Sequence, residues 1–275
     1  VIDTLQIGPA ALPVPMLLLF ASYGIGSWLG ARQAHQNDVV IKSPLFPTLI
    51  VGLLVARLGF IGQFHDVYLS NPLDIIDIRD GGWNLYSGWA AAWAYTLWRM
   101  LRQPVLRKYL FISLLSAGAI WLLGTAMLSF GTSDKPPLPN ISLPALSGES
   151  VALSTYKGKP TVINLWATWC PPCQREMPIL HQAQMAHPEI RFVFLNQGES
   201  SDVVAKFLST EKLSLQNVLL DSEQQVAEKF EQHALPTTLF FDAEGKLADM
   251  RLGELSRATL TQRLNNLSHV SKGNP

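Results

Sequence analysis

Two residues in this chain can carry thiol chemistry, and they stand three apart. The run Trp166-Ala-Thr-Trp-Cys-Pro-Pro-Cys173 holds the only two cysteines among 275 residues. With no third thiol available, they pair with each other, with a partner's thiol, or with a metal ion. A second Cys pair is absent, and His181, His187 and His233 lack close ligand spacing to the first, which leaves a zinc site poorly supplied. Gln174 stands where a haem-attachment motif requires histidine.

The flanking elements point to disulfide exchange. Thr161–Leu165 is a short apolar, β-rich run, and after the pair Met177, Leu180 and Met185 recur at roughly helical spacing. The cysteines therefore sit where a strand hands over to a helix. Pro171 and Pro172 suit a first helical turn, where a missing N–H costs nothing. That places Cys170 at the exposed helix start, where the partial positive charge favours a thiolate, the nucleophile of exchange. Cys173, one turn on and more buried, is placed to attack the mixed disulfide and release product. Some sixty residues later Ala234-Leu-Pro-Thr-Thr-Leu-Phe-Phe-Asp242 reads as a strand with Pro236 at its start. A proline inside a ladder would break it, so Pro236 is expected at a strand end, as a cis peptide beside the cysteines.

Trp169-Cys-x-x-Cys173 and Leu235-Pro236-Thr237 together make residues 138–270 resemble a thioredoxin-fold domain of the TlpA/ResA type, the periplasmic branch of thiol-disulfide oxidoreductases. The resemblance implies an α/β thioredoxin-like fold, a redox-active disulfide in place of any cofactor, and a proton-transferring glutamate three residues after the second cysteine, here Glu176. The alternative for Glu176 is a helix-surface carboxylate that only supports the dipole. The buried aspartate of cytoplasmic thioredoxins is Asn164 here, so position 164 is not expected to move protons. The main chain of Leu235 is expected to pair with an extended client segment, with Trp169, Pro171 and Pro172 beside it. Trp166 alternates with Asn164 and reads as core.

Composition changes near residue 131. Before it charges are sparse and clustered; after it they are spread evenly, so the formal net charge of zero averages two unlike halves and gives no sign of a nucleic-acid partner. Four apolar stretches, about 9–30, 44–64, 82–101 and 109–130, are each long enough to cross a bilayer core roughly 30 Å thick. The first lacks a basic residue before it and a convincing cleavage pattern, so it is expected to remain as a span. Arg32 and Lys42 in the first loop, and Arg99, Arg102, Arg107 and Lys108 in the third, face a second loop with Asp66, Asp74, Asp77, Arg79 and Asp80. The positive-inside rule then places both termini outside a bacterial inner membrane and the redox domain in the periplasm, an oxidising compartment.

Arg57 is the basic residue inside a predicted span, either functional or snorkelling to headgroups. Ile7–Leu12, Arg57-Leu-Gly-Phe60 and Asn71–Gly82 resemble the N-terminal half of prolipoprotein diacylglyceryl transferase. Tyr86 occupies that family's histidine place and Pro15 its tyrosine place, and its Arg-x-Gly-Asn-Phe segment is missing. The resemblance implies a scaffold without transfer chemistry in which Arg57 contacts a phospholipid headgroup. Trp83, Trp89, Trp93, Trp98 and Trp121 read as packing and interfacial anchors.

The organisation expected is a transmembrane domain of four helices over 1–130, a proline-rich tether over 131–140 and a periplasmic thioredoxin-like domain over 141–270. In the latter, strands are expected near 151–153, 161–165, 191–196, 216–220, 237–242 and 246–252. Helices are expected at 171–186, 201–211 with Ser201 as cap, 223–232 and 256–268. The helix and strand between 199 and 220 fit the insertion of the TlpA/ResA branch. Residues 1–169 contain no cysteine, so a thiol relay cannot cross the membrane through them. A separate thiol-transporting membrane protein of the DsbD or CcdA kind is the implied electron donor. Pro171 and Pro172 offer the Cys170 thiolate neither charge nor N–H, which favours a protein-disulfide reductase acting on periplasmic clients over a thiol oxidase. A copper-handling metallochaperone and a lipid-modifying transferase remain as other readings.

Overall fold

The computed structural model describes residues 4–7, 10–41, 43–70, 72–76, 81–130 and 136–272. The chain divides into two units, one of Val1–Ile75 with Gly82–Ser133, which holds the N-terminal helices, and one of Ile76–Gly81 with Asp134–Pro275.

In the helical unit, strands β1 (Thr4–Ile7) and β2 (Ala10–Pro13) pair antiparallel. They precede α1 (Val14–His35), α2 (Phe46–Gln63), α3 (His65–Ser70), α4 (Leu85–Arg102) and α5 (Arg107–Phe130). The first long helix thus begins and ends about five residues later than its apolar run suggests. Arg32 and His35 close it, where the negative end of the dipole favours cations. The hairpin, α3 and a 3₁₀ turn at Pro72–Ile75 were not legible in the sequence. Four long helices form as expected, yet among the described residues only two segments, Phe46–Gln63 and Pro104–Leu128, are long and apolar enough to cross a membrane. In α1 and α4, Gly, Ser and Ala dilute the larger apolar residues.

Small residues let these helices pack closely. A Cβ on Gly26 of α1 would lie 2.6 Å from the Ser113 carbonyl oxygen of α5, and one on Gly88 of α4 would lie 3.0 Å from the Gly52 carbonyl of α2. Between α2 and α4 the Thr48 and Thr96 hydroxyls bond at 3.0 Å, both buried. Asn84 caps α4, its Oδ1 accepting from the Ser87 N–H at 3.0 Å.

The second unit is built on a five-stranded sheet. Strands β3 (Ser142–Pro144) and β4 (Ser150–Ala152) form a separate antiparallel pair. Strands β5 (Thr161–Trp166), β6 (Arg191–Gln197), β7 (Val218–Asp221), β8 (Thr237–Phe241) and β9 (Leu247–Leu252) lie in the order β7-β6-β5-β8-β9. β5 runs parallel to β6 and antiparallel to β8. The helices are α6 (Pro171–Ala186), α7 (Ser201–Thr210), α8 (Gln225–Lys229) and α9 (Arg257–Lys272). Alternate residues of each strand enter different cores. Val162, Trp166, Phe192, Phe194 and Phe240 pack with the cysteines, whereas Ile163, Leu165, Val193, Leu195 and Phe241 fill the opposite cluster.

Three expectations need correction. α7 is capped at Ser200, not Ser201, with no side-chain hydrogen bond. α8 is shorter than 223–232, because buried Asp221 accepts from the Gln225 and Val226 N–H groups and Gln224 is left-handed, so the helix starts late. The tether is not free along its length. Residues 131–135 lie outside the described ones, but from Pro136 the chain is pinned to the β8–β9 turn. The Pro136 carbonyl accepts from Leu247 N, Leu138 N donates to the Gly245 carbonyl, and the Leu138 side chain is buried. An apolar side chain beside an open edge found core to fill.

The seam between α1 and α5 can be tested by adding one methyl group. Gly26→Ala is expected to destabilise the helical unit by about 1–3 kcal/mol through overpacking against backbone. Gly24, whose added Cβ would meet nothing within 4 Å, should tolerate alanine. Thermal melts of the two variants in detergent, followed by circular dichroism, make the comparison, and equal losses would refute the close approach.

Candidate active site

β5 is buried on both faces and its last residue, Trp166, reaches the end of the sheet from which α6 departs. The connection Ala167–Trp169 is held by a carboxylate from the neighbouring strand's end. Glu199 accepts from Thr168 N at 2.7 Å, from Thr168 Oγ1 at 2.5 Å and from Asn196 Nδ2 at 2.7 Å. This clamp was not foreseen, since nothing in the spacing of Thr168 and Glu199 announces it.

Cys170 is the N-cap of α6, and it is joined by a disulfide to Cys173. Its Sγ accepts from the Cys173 N–H at 3.3 Å. Pro171 and Pro172 fill the first two helical positions and have no N–H, so Cys173 supplies the first main-chain donor of the helix. The helix-start placement agrees with the sequence; the exposure does not. Cys170 is only 3 % exposed, against 0 % for Cys173, because the bond to Cys173 draws its sulfur in over the helix end. Trp169, next to it, is 67 % exposed; Pro171 is exposed and Pro172 half-buried.

Glu176 lies one turn beyond Cys173 on the buried face of α6. The helix-surface alternative is therefore overturned: the side chain is fully buried. Asn164 Nδ2 donates to Oε1 at 2.8 Å and Leu255 N to Oε2 at 2.9 Å. Burial pushes the carboxyl up to about 7; these two hydrogen bonds and the Arg251 charge pull the other way, and the Glu254 charge adds to the rise. Asn164, which cannot titrate, is nonetheless part of the site. Its Nδ2 also donates to Thr238 Oγ1 at 3.0 Å, across the β5–β8 pairing in which the two residues are direct partners.

The Leu235–Pro236 peptide is cis, as expected, and Pro236 is buried immediately before β8. The half-buried Leu235 packs against the apolar cluster that holds both cysteines. The Pro236 carbonyl accepts from Gly253 N at 2.9 Å, so the loop that also gives Leu255 N to Glu176 ties down the proline segment. Glu254, between them, pairs with Arg175 of α6 at 2.5 Å. Trp166 is fully buried core, its ring 5.5 Å from that of Phe207.

Arg57 belongs to the other unit and does not snorkel. It is buried on α2, its Nη1 donates to the Gly82 carbonyl at 2.9 Å and its Nη2 to the Asp74 and Ile75 carbonyls at 3.3 and 3.1 Å. The guanidinium also lies 5.5 Å over the Tyr68 ring. Of the Asn71–Gly82 segment, residues 71 and 77–80 lie outside the described ones.

The raised Glu176 pKa makes stability pH-dependent. The unfolded carboxyl loses its proton near 4.5, the folded one near 7, so between these values the folded state binds more protons. Stability should therefore fall as pH rises through that window and level off above it, by at most about 3 kcal/mol. Hydrogen exchange of the β5 and β6 amides at a series of pH values measures this. Glu176→Gln should flatten the slope, and an unchanged slope would assign it elsewhere.

Residues 135–250 match the AhpC/TSA family. Thiol-disulfide oxidoreductase ResA of Bacillus subtilis (strain 168) is 31% identical over 136 residues, covering 48% of this chain and 75% of the relative. Thioredoxin-like protein YneN of the same organism is 30% identical over 138 residues, 49% of this chain and 80% of its own. Among solved structures, MTB dsbF in its mixed oxidised and reduced forms is 30% identical, covering 48% of this chain and 98% of that one, with a TM-score of 0.45. A helix-capping Cys-Pro-Pro-Cys disulfide on a thioredoxin-like sheet, together with this identity to ResA, shows that through its C-terminal half the chain belongs to the ResA family of thiol-disulfide oxidoreductases.

Proposed function

We propose that this thiol-disulfide oxidoreductase is a membrane-anchored periplasmic protein-disulfide reductase. The observation that carries the direction is the poverty of donors around Cys170. With Pro171 and Pro172 in the first turn, Cys173 N is the main-chain N–H on its sulfur, so a Cys170 thiolate gains little beyond the dipole. A poorly stabilised thiolate makes the dithiol the better reductant.

In the reductive half-reaction Cys170 Sγ⁻ attacks a client disulfide and displaces one client thiolate, leaving a mixed disulfide. Cys173 then loses its proton and attacks Cys170 Sγ, which expels the second client thiolate and closes the Cys170–Cys173 bond. Two electrons pass to the client. Glu176 is the group we assign to take the Cys173 proton, since a carboxyl near 7 both accepts and returns a proton at working pH. The main chain at Leu235, ahead of the cis-proline, is the assigned docking edge for the client, with exposed Trp169 as an apolar contact.

The remainder follows from the chain's chemistry. Both thiols lie in one unit and residues 1–169 supply none, so rereduction calls for a separate membrane thiol donor of the DsbD or CcdA kind. Basic residues Arg99, Arg102, Arg107 and Lys108 at the α4–α5 turn favour a cytoplasmic turn, four spans and periplasmic termini. The helical unit we read as a scaffold similar to half of prolipoprotein diacylglyceryl transferase. Arg57, its guanidinium engaged by three main-chain carbonyls, fits the holding of Asp74, Ile75 and Gly82 better than contact with a lipid headgroup.

Equilibration of the full chain with glutathione, read by alkylation and mass spectrometry, is expected to give a potential nearer about −270 mV than about −120 mV. The second value would make the protein an oxidase. Cys170→Ser should abolish exchange, and Cys173→Ser should accumulate a mixed disulfide with a client; no trapped client would overturn the assigned roles. Arg57→Ala should lower the melting temperature of the helical unit and leave copurified anionic lipid unchanged, whereas lost lipid would restore the headgroup role.

A further inference from the structure

Asn164 is 1 % exposed, and its carboxamide touches two groups that can each reverse their hydrogen-bond role. Nδ2 donates to Glu176 Oε1 at 2.8 Å and to Thr238 Oγ1 at 3.0 Å. Oδ1 is buried and accepts nothing from the described residues. A carboxylate only accepts, but a carboxylic acid also donates, and a hydroxyl does either. The other partner of Glu176, the Leu255 N–H, is a fixed donor and has no such freedom.

We propose that Asn164 is a positioning residue for the Glu176 proton: its amide donates to the carboxylate and, after half a turn about its terminal bond, accepts from the carboxylic acid. Thr238 reverses in step, accepting from Nδ2 in the first state and donating to Oδ1 in the second. Each orientation keeps two hydrogen bonds and leaves one end of the amide unpartnered. The first orientation leaves one carbonyl oxygen unpartnered and the second leaves two N–H groups, so the donating orientation is the resting one and the proton on Glu176 supplies the bias toward the other. No atom is transferred to Asn164; the carboxyl gains or loses its proton, and the amide follows by rotation.

The inference rests on the reading of Glu176 as the proton carrier and deepens it. An aspartate at position 164 would bring a second titrating group, and a leucine would support neither form. An amide supports both, which suits a carboxyl that must pass a proton twice in each cycle. The charged groups around the carboxyl are Arg175 on α6, Arg251 on β9 and Glu254 on the following loop. Arg175 and Glu254 engage each other, and Arg251 and Glu254 act on Glu176 with opposite sign. None of these reaches it with a hydrogen bond that could replace the amide's.

The test uses the full chain in detergent micelles with 15N-asparagine. The Asn164 side-chain NH2 signals are expected to change across neutral pH with the midpoint at which Glu176 titrates, and to become pH-independent in Glu176→Gln. Alongside it, the pH–rate profile for reduction of the disulfide by dithiothreitol reports the carboxyl itself. Asn164→Leu should move that midpoint upward by on the order of one pH unit, because the charge-assisted bond the anion loses is stronger than the neutral one the acid loses. A profile that Glu176→Gln leaves unaltered would overturn the reading of Glu176. A Glu176-dependent profile with an Asn164 amide that does not respond, or that responds equally in Glu176→Gln, would overturn the role of the amide alone.

Discussion

A carboxyl group buried one helical turn past a disulfide organises this site. Glu176 has no contact with solvent, so each of its oxygens must find a donor inside the protein, and the two it finds come from opposite sides. One is the Asn164 amide of the central strand; the other is the Leu255 main chain after β9. Two hydrogen bonds do not replace the hydration of an ion, and the result is a carboxyl that hovers between its states near neutrality. The same two donors stitch α6 to β5 and to the loop that holds the Pro236 carbonyl. Charge state, helix position and the proline segment are therefore connected through a handful of bonds.

That arrangement needs a rigid floor. β5 is buried on both faces, with Val162 and Trp166 turned toward the cysteine side and Ile163 and Leu165 toward the other. Strand periodicity places Asn164 between Val162 and Trp166 on the cysteine side, where the helix presents Glu176. A one-residue slip of β5 would exchange Asn164 for an apolar neighbour and strand the carboxyl without its donor. The register with β8, which sets Asn164 opposite Thr238, is thus part of the chemistry as well as of the fold.

Much of this was legible from residue order, for identifiable reasons. The strand–cysteine–helix junction follows from local rules: an apolar β-rich run, prolines admissible only in a first turn, then helical spacing. α6 starts and ends where that pattern says, and Pro236 sits at a strand end because the ladder excludes it elsewhere. What escaped depends on contacts between distant segments. The burial of Glu176 requires α9 and its preceding loop to fold over α6. Asn164 was recognised as a non-acid but not as a partner, because only the β5–β8 register reveals Thr238. Glu199 was invisible for the same reason, since Thr168, which gives it two of its three donors, lies 31 residues upstream. Pro136–Leu138 looked like tether by composition, whereas an apolar leucine next to an unpaired turn made it part of the domain.

Glu199 and Glu176 show how one residue type takes two jobs in one site. Glu199 is half-exposed and saturated, with two donors from Thr168 and one from Asn196, all within 2.7 Å. So many charge-assisted bonds fix geometry: the Ala167–Trp169 connection cannot move without breaking them, and Cys170 inherits that position. Glu176 is buried and has one donor per oxygen, the Asn164 amide on one and the Leu255 main chain on the other. A carboxylate with three donors and access to water is an anchor; one with two donors and no water is pushed up toward neutrality. The number of donors and the water they replace set the division of labour.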